Sequence, residues 1–461
     1  MSSFKVAPQV EETGWTRVHW WIFASFAVGM ILEGYSFALS SVVSTWFTLP
    51  VFFRVLSVMW SSLWLAIGVM IFGPITDKIG RKSTFFITMT IFAIAGLLII
   101  LTYNYILMLI SVGLLTFAGG SEQNVIMTAM HEYYPRKHRS KAYMITLDTI
   151  ELGSVISGIV SSFSFSSSPI FSKEVAGVIV LIIIALLVFI RLQMPESIRW
   201  LEATGKSNKA ENEAKKYFGL GGAVQQSSVN VTNSAPKLPN VNLAPSATAP
   251  FGSVAASELE KAKIKSRRDL LFRFIIALVL ADTNTVTYGL VTYTLGPIYY
   301  PTLIPQILMI GTLAAFFGGL AGLGADRWSR KKLIVASYAL SLLSFILFYV
   351  LVPVWTKNLM IFWILLILSE VFPQIAWESA DALKSEIWPT PKRGTFVGLN
   401  RGITFLISIP FLYIGSLLTI SQYMLLNVLW WVAGLLAAII WYVWGVESGK
   451  AVSIAVPSGE I

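Results

Sequence analysis

Twelve apolar stretches of about 20 residues recur along this chain, which is the length that an α-helix needs to cross the hydrocarbon core of a bilayer. Six precede a polar interval and six follow it, near residues 18–42, 55–76, 83–103, 106–130, 141–163, 172–193, 270–296, 303–325, 332–353, 358–382, 395–419 and 422–446. Charged residues make up only 13% of the 461 residues, against roughly 25% in soluble domains. The sequence therefore predicts an all-α membrane protein with twelve transmembrane helices.

The net charge of +10 is unevenly distributed along the chain. Basic residues are rare in every second loop. The loops that follow the odd-numbered apolar runs hold only Arg54, Lys173 and Lys357 of the 34 Lys and Arg. This positive-inside pattern predicts a multi-pass protein of the plasma membrane with both termini in the cytoplasm. It accounts for the positive charge without nucleic acid as a partner, and it makes the lipid bilayer the expected surroundings. Basic residues cluster in the opposite set of loops at Lys78, Arg81 and Lys82; Arg136, Lys137, Arg139 and Lys141; Arg327, Arg330, Lys331 and Lys332; and Lys392 and Arg393.

The polar interval divides the chain into three predicted regions. Within it, Lys206 to Lys216 favours a short charged helix, and 222–257 has the Ser, Asn, Pro and Ala content of a disordered tether. Ser257 to Arg268 predicts a basic helix on the anionic leaflet. The regions are a six-helix bundle over 1–195, a cytoplasmic linker over 196–268 and a second six-helix bundle over 269–461.

Composition excludes several functions. The chain has no cysteine and only three histidines, so a disulfide, a thiol nucleophile and a Cys- or His-ligated metal site are not expected. No nucleophile–base pair or phosphate-binding loop can be identified. We therefore expect no cofactor and no enzymatic activity.

Two short motifs occur once in each half. The first is G-P-I-T-D-K-I-G-R-K at 73–82 and G-L-G-A-D-R-W-S-R-K at 322–331. The second is E-Y-Y-P-R-K-H-R at 132–139 and E-I-W-P-T-P-K-R at 386–393. Matching motifs at matching places predict that the chain arose by duplication.

These motifs resemble the loops of the major facilitator superfamily. The first motif resembles G-x-x-x-D-[RK]-x-G-R-[RK], the loop after the second and eighth helices, except that Ser329 stands where the family usually has Gly. The second resembles the loop after the fourth and tenth helices. The resemblance implies two six-helix bundles related by an axis along the membrane normal, in a monomeric secondary transporter.

The resemblance also implies a gate on the cytoplasmic side. Asp77 and Asp326 end transmembrane helices, where a carboxylate can meet the positive N-terminus of another helix. The nearest such starts belong to the eleventh helix, near Gly394, and the fifth, near Ser140. The gating residues expected on these grounds are Gly73, Asp77, Arg81, Glu132, Arg139, Asp326, Arg330, Glu386 and Arg393.

Three further stretches resemble particular branches of the superfamily. P-E-S-I-R-W-L at 195–201 is similar to an element of sugar porters. G-M-I-L-E-G-Y-S-F at 29–37 resembles the G-x-x-x-E-W-Y-D-F of metabolite:proton symporters, with Gly34 for Trp and Ser36 for Asp. Gly119 to Glu122 resembles the G-G-E of the same symporters with one extra residue.

Acidic residues inside the apolar runs are the candidates for solute and proton binding. A charge at bilayer depth costs roughly 2.5–3.5 kcal/mol, so such groups are kept where they face a wet cavity, a partner or a proton path. Helices one, four, seven and ten line the cavity in this superfamily, and each carries at least one acid. The eight are Glu33, Glu122, Asp148, Glu151, Asp282, Glu370, Glu378 and Asp381.

The internal repeat relates two of these acids. Asp77 and Asp326 are 249 positions apart, and so are Glu33 and Asp282. We therefore expect Glu33 and Asp282 to face one central cavity. Beside them lie side chains that can hydrogen-bond a polar solute, namely Tyr35, Ser36, Asn284 and Tyr288.

The remaining acids form two groups by helical spacing. Glu370, Glu378 and Asp381 share one face of the tenth helix, and Asp148 and Glu151 are one turn apart in the fifth. Adjacent carboxylates in a low dielectric cannot all ionise, so each group is expected to hold a proton. Arg401 is the base furthest inside a span, and it can pair with Asp381, pair with Asp148 or bind an anionic substrate.

Together these features favour proton-coupled symport of a small polar metabolite by alternating access, with an organic acid as the preferred solute. Uptake of a sugar or another neutral solute is a close alternative because of the P-E-S-I-R-W element. Export of a cationic solute follows if the cavity acids stay ionised. A non-transporting receptor is less favoured because the tail from Glu447 to Ile461 is too short for a signalling domain.

Overall fold

In the computed structural model of the chain, the described residues are 6–43, 46–47, 51–166, 168–220, 267–287, 300, 303–325 and 327–448. Twelve helical segments, α1 to α12, lie where the sequence predicts transmembrane helices. Their bounds are α1 Arg17–Val42, α2 Val51–Ile79, α3 Arg81–Leu101, α4 Tyr105–Tyr133, α5 Arg139–Asp148 continuing as Ile150–Ser166, α6 Pro169–Leu192, α7 Arg267–Thr287, α8 Ile304–Gly319 continuing as the 3-10 helix Leu320–Gly324, α9 Arg330–Val350, α10 Leu359–Glu386, α11 Arg393–Leu417 and α12 Ile420–Trp444.

The length and apolar character of these segments suit a bilayer. Eleven stretches of the described chain are long and apolar enough to cross a membrane. The remaining predicted run corresponds to α11, a helix of 25 residues. The prediction of an all-α membrane protein is therefore confirmed, while the boundaries of the three regions stay a prediction.

The two halves of the chain pack along two helix pairs, α2 with α11 and α5 with α8. Glycines bring α2 and α11 into backbone contact, because a Cβ atom on Gly73 would lie 2.7 Å from the carbonyl oxygen of Gly394. A Cβ atom on Gly398 would lie 2.4 Å from the carbonyl oxygen of Val69. Small residues allow this close approach of helices, which dispersion forces then stabilise.

A second glycine contact joins α1 to the later part of α5. A Cβ atom on Gly34 would lie 1.9 Å from the carbonyl oxygen of Ile150, and one on Gly153 would lie 2.0 Å from that of Ile31. No larger side chain fits at either position. This contact gives a physical reason for Gly34 in a place where the metabolite:proton symporters have Trp. Thr149 interrupts α5 directly before the contact begins.

Three short helices cover the side of the protein that carries the loop motifs, which we call the inner side. They are Ala7–Glu11, Ile198–Ala203 and Ser207–Phe218. The last contains most of the predicted charged helix over 206–216. Apolar side chains such as Val10, Trp200 and Ala214 pack between these helices. The predicted tether over 222–257 lies outside the described residues, as does most of the predicted basic helix.

Candidate functional site

On the inner side, Asp77 at the end of α2 contacts the first residues of α11. The backbone N–H groups of Gly394 and Thr395 donate to the Asp77 carboxylate at 3.2 and 2.8 Å. The Thr395 hydroxyl also donates to it at 2.9 Å. Because a helix N-terminus presents unpaired N–H groups and partial positive charge, this carboxylate binds α11 across the two halves.

Arg81 forms a buried ion pair beside this contact. Its Nε and Nη2 atoms donate to the two carboxylate oxygens of Glu132 at 2.8 and 2.7 Å. The Ser197 hydroxyl donates to Glu132 at 2.6 Å. Arg393 of the second half lies 3.8 Å from the same carboxylate. Glu132 therefore connects α3, α4 and the second half in one charged cluster.

The second half has the same residue types at the equivalent positions, but its ion pair is longer. Arg330 Nη2 lies 3.6 Å from Glu386 Oε1, which is longer than a hydrogen bond. Arg330 Nη1 instead lies 3.3 Å from the sulfur of Met144 in α5. Ser448 lies beside Glu386, as Ser197 does beside Glu132. Asp326 lies outside the described residues.

Two carboxylates that the sequence did not single out cap helices on this side. Glu196 accepts hydrogen bonds from the N–H groups of Arg81 and Lys82 at 3.1 and 3.2 Å, at the start of α3. Burial raises the pKa of Glu196 above its ordinary value in spite of these bonds. Glu447 accepts from the N–H of Arg330 at 2.8 Å, at the start of α9. The V-E-S at 446–448, which echoes the P-E-S at 195–197, was the available signal.

Further contacts close the inner side between α4, α5 and α10. The Tyr143 hydroxyl donates to the carbonyl oxygen of Asp381 at 3.2 Å and accepts from the Ser385 hydroxyl at 2.6 Å. His131 Nε2 lies 3.0 Å from the same hydroxyl. All three side chains are buried. The two halves thus contact one another across the inner side.

The N-terminal helix Ala7–Glu11 also contacts charged residues on the inner side. Glu11 pairs with Arg199 at 2.9 Å and with Arg139 at 3.2 Å. Burial would raise the pKa of Glu11, but Arg199 and Arg139 outweigh this effect and hold the pKa below its ordinary value. Glu202 accepts hydrogen bonds from the N–H groups of Val6 and Ala7 at 2.7 and 3.1 Å. The predicted gating residue Arg139 is therefore held by the N-terminal helix.

Deeper in the helices, a charged cluster lies on α10 and α11. Arg401 Nη1 donates to Asp381 Oδ2 at 2.6 Å, and Lys384 pairs with the other oxygen of Asp381. The sequence left Asp381 and Asp148 open as partners of Arg401, and in the structure Arg401 pairs with Asp381. The Arg401 guanidinium lies 6.0 Å from the ring of Trp377 and 5.6 Å from that of Phe405. Its Nε has no hydrogen-bond partner among the described residues.

Glu33 and Asp282 both approach this cluster. Glu33 is buried on α1 against Gly119 and is within electrostatic range of Arg401 and Asp381. Asp282 is buried on α7, beside Thr404 of α11 and within range of Lys384. The acids related by the internal repeat are thus near different members of one charged cluster of the second half.

Asp148 has a neighbour on another helix that the sequence did not indicate. Its carboxyl lies beside that of Glu378 in α10, because a Cβ atom on Gly319 would lie 1.9 Å from Asp148 Oδ1 and 2.2 Å from Glu378 Oε1. Gln374 donates to both carboxyls, at 3.3 Å to Asp148 and 3.1 Å to Glu378. Helical spacing relates only side chains of one helix, so it does not reveal a contact that forms because α5 and α10 come together through the packing of the halves. The grouping of Asp148 with Glu151 stays a prediction.

Glu122 is engaged inside the first half. It pairs with Arg191 of α6 and accepts a hydrogen bond from the Thr88 hydroxyl of α3. Arg191 also donates to Ser25 of α1 at 3.2 Å. All four side chains are buried. A role for Glu122 in solute or proton binding stays a prediction.

Three other predicted site residues have local hydrogen-bond partners. The Tyr35 hydroxyl donates to the carbonyl oxygen of Ala176 at 2.9 Å, and Ser36 to that of Leu32 at 2.6 Å. Asn284 donates to the Tyr338 hydroxyl at 2.5 Å. These polar groups therefore bond within their own halves. Glu370 is buried on α10, and Tyr288 lies outside the described residues.

Twelve helical segments in two halves, with eleven stretches of the described chain long and apolar enough to cross a membrane and with buried charged groups where the halves meet, are typical of a multi-pass membrane transporter. The chain belongs to the Major Facilitator Superfamily, whose match covers residues 20–368. It is therefore a secondary transporter and not an enzyme, as the loop motifs predict.

Three curated relatives are similar to parts of the chain. The 4-hydroxybenzoate transporter PcaK of Acinetobacter baylyi is 26% identical over 356 residues, covering 74% of this chain and 70% of that protein. Human solute carrier family 22 member 13 is 29% identical over 41% of this chain. The minor myo-inositol transporter IolF of Bacillus subtilis is 25% identical over 33% of it. The chain spans only 31% of the human protein and 34% of IolF.

Among solved structures, the fold is similar to that of the proton:xylose symporter XylE bound to 6-bromo-6-deoxy-D-glucose. The TM-score is 0.70, the identity is 16%, and the match covers 94% of this chain and 97% of XylE. A partially occluded inward-open form of XylE from E. coli matches with a TM-score of 0.67 and 16% identity, over 94% of this chain and 99% of that one. At this identity the likeness concerns the fold alone.

Proposed function

We propose that the protein takes up a small organic acid together with protons, by alternating access between its two halves. The observation that carries this proposal is the environment of Arg401. Its side chain is buried at depth in α11, and only part of its guanidinium is bound to Asp381. A buried, incompletely paired guanidinium is suited to bind a carboxylate with two parallel hydrogen bonds.

The charges around Arg401 support an anionic solute. Asp381 is shared between two cations, Arg401 and Lys384. Glu33 lies within range of Arg401, and Asp282 lies within range of Lys384. When protons neutralise Glu33 and Asp282, the cluster has one positive charge in excess. A bound carboxylate would balance that charge, so proton binding and acid binding favour one another.

The rings of Trp377 and Phe405 favour an aromatic acid within this class. A ring can stack beside the guanidinium and its two aromatic neighbours while its carboxylate binds Arg401. The name of PcaK agrees with such a solute, since 4-hydroxybenzoate is an aromatic carboxylate. We therefore propose benzoate-like acids as the first solutes to test.

The experiment is uptake of labelled 4-hydroxybenzoate into proteoliposomes, with and without an imposed pH gradient that is acid outside. A proton symporter accumulates the acid only with the gradient, and a protonophore abolishes the accumulation. A uniporter equilibrates the acid in either condition, and a receptor takes up none. Equal uptake with and without the gradient would refute proton coupling.

Two matched variants separate solute from proton. Arg401→Lys keeps the charge but loses the planar pair of donors, so we expect weaker binding with the gradient response retained. Glu33→Gln should abolish gradient-driven accumulation while exchange of solute across the membrane continues. Full accumulation by Glu33→Gln would remove Glu33 from the coupling mechanism.

Uptake of a neutral polyol or sugar is the second candidate. P-E-S-I-R-W-L at 195–201 and the similarity to IolF favour it. Competition between labelled 4-hydroxybenzoate and unlabelled myo-inositol or xylose distinguishes the two. A neutral solute should be insensitive to Arg401→Lys, because it makes no ion pair with the guanidinium.

A further inference from the structure

Two carboxyl groups from opposite halves meet in the interior of the inner side. Asp148 of α5 and Glu378 of α10 are both 0% exposed. A Cβ atom on Gly319 of α8 would lie 1.9 Å from Asp148 Oδ1 and 2.2 Å from Glu378 Oε1. The two oxygens are therefore close neighbours, and the backbone of α8 closes the site from the second half.

The pair lacks the partners that two negative charges would need. Gln374 donates to Asp148 Oδ1 and Glu378 Oε1. The second oxygens, Asp148 Oδ2 and Glu378 Oε2, are buried without a hydrogen-bond partner, and neither carboxyl has an ion pair among the described residues. Two adjacent carboxylates without a cation cannot both be ionised in a low dielectric.

Charged groups on the packed helices do not relieve this repulsion. From α5, Glu151 faces Glu378 and adds negative charge. From α10, Asp381 and Lys384 pair with one another, and from α9, Arg330 lies closest to Glu386 and Met144. The helix Ile304–Gly319 of α8 carries no ionisable side chain, and on α1 the acid is Glu33, near Arg401.

We propose that Asp148 and Glu378 bind one proton between them while the inner side is closed, and that opening of the inner side releases it. One carboxyl then donates a hydrogen bond to the other across the two halves. When the halves separate, each carboxyl meets water and ionises independently. This inference rests on the alternating access proposed above, but not on the solute or on the ion that drives transport.

The sign of the pH dependence follows from linkage. The closed form binds one proton more than the open form, so acid favours the closed form and rising pH favours opening. For one linked proton, the ratio of open to closed protein changes about tenfold per pH unit. This change occurs over the pH range in which the separate carboxyls of the open form are already ionised and the joined pair of the closed form still holds its proton.

The natural absence of cysteine provides a clean reporter. Met144 of α5 is buried against Gly322 and Arg330, so a Met144→Cys variant should react with a maleimide only when the inner side opens. An Asn208→Cys variant, on the exposed face of a linker helix, corrects for the pH dependence of the thiol itself. The corrected labelling rate should rise about tenfold per pH unit.

The decisive variant is Asp148→Asn with Glu378→Gln in the Met144→Cys background. The two amides keep the shape and hydrogen bonding of the pair but do not titrate, so labelling should be slow and independent of pH. A pH dependence of labelling that persists in this double variant overturns the proposal. So does the absence of a pH dependence in the Met144→Cys protein that keeps both carboxyls. A response to sodium at fixed pH with no response to pH also overturns it, since the pair would then bind a metal cation.

A second variant covers the case in which the double substitution does not fold. Gly319→Ala places a Cβ atom between the carboxyls, so labelling should be fast at every pH; Gly14→Ala, which has nothing within 4 Å, is its control. A wild-type slope in Gly319→Ala refutes the inference. If the double substitution abolishes the pH dependence of labelling but uptake does not respond to a pH gradient, only the proposed symport is refuted.

Discussion

The two copies of the loop motif use the same residues with different geometry. In the first half, Arg81 binds both oxygens of Glu132 at 2.7 and 2.8 Å. In the second, Arg330 lies 3.6 Å from Glu386 and turns one nitrogen towards Met144. The two copies therefore have the same residue types, but Arg330 has a longer ion pair and a contact with Met144 of the first half.

The caps of the neighbouring helices differ in the same way. Gly80, with φ of +98°, precedes α3 without a side chain that can cap it, and Glu196 from the linker supplies the acceptor. At α9, Ser329 replaces that glycine and accepts from the N–H of Lys332 at 3.3 Å, in addition to the cap from Glu447. The first copy thus depends on the linker, whereas the second carries part of its own cap.

The largest effect should come from breaking the tighter ion pair. Arg81→Gln leaves Glu132 buried opposite a neutral group, and removing one partner of a buried ion pair costs about 3–5 kcal/mol. Arg330→Gln should cost clearly less, because its pair is longer. Denaturant unfolding in detergent measures both free energies. Equal losses would show that the two copies are equivalent after all.

The contact between the halves should come next. Asp77→Asn weakens three hydrogen bonds to α11, each worth about 1.5–3 kcal/mol when one partner is charged, and should favour the form that is open on the inner side. Thr395→Val removes only the bond from the hydroxyl and should shift the equilibrium less. Labelling of the Met144→Cys reporter measures both, and an unchanged rate in Asp77→Asn would contradict the gate.

The helix caps offer a finer comparison. Glu196→Gln should lower the free energy of unfolding by about 1 kcal/mol, the usual cost of a lost cap. Glu447→Gln should lower it by only a few tenths, because Ser329 remains as a second acceptor. Replacing Ser329 by Gly should make the two halves alike. A large loss in Glu447→Gln alone would show that the serine does not act as a cap.

The most local effect concerns the N-terminal helix, which contacts Arg139 of the first half and Arg199 and Glu202 of the linker. The pKa of Glu11 is lowered in the folded protein, so its stabilising contribution is complete above the ordinary pKa of a glutamate and is lost as pH falls through the lowered value. Glu11→Gln should release the helix at neutral pH, for a loss of about 1 kcal/mol. Protease cleavage near Thr13 reports the release, and cleavage that is equal in both proteins would argue against it.

Local pattern predicted what lies along each helix. The twelve apolar runs, the two motifs and the face of α10 that carries Glu378 and Asp381 all follow from spacing. The contact between Asp77 and the start of α11 was also predictable, because the loop motif indicates where α2 ends and which helices start nearby. The family and the fold were thus predictable from the sequence.

The choice of partner between helices was not predictable in the same way. Asp148 meets Glu378 because α5 packs on α8 and α10, and no spacing within one helix contains that information. Lys384 could have been found, since it follows Asp381 by three residues in the same helix. Arg191 lies in the last turn of α6, where the sequence alone suggests an ordinary boundary residue.

The contact between Gly34 and the carbonyl oxygen of Ile150 has a mechanical consequence. With no side chain between their backbones, α1 and the later part of α5 pack as one unit inside the first half. The interruption at Thr149 separates this unit from the first part of α5, which contacts α10 of the second half. Asp148 directly precedes Thr149, so the carboxyl that meets Glu378 lies at the junction between the part of α5 that α1 holds and the part that contacts α10.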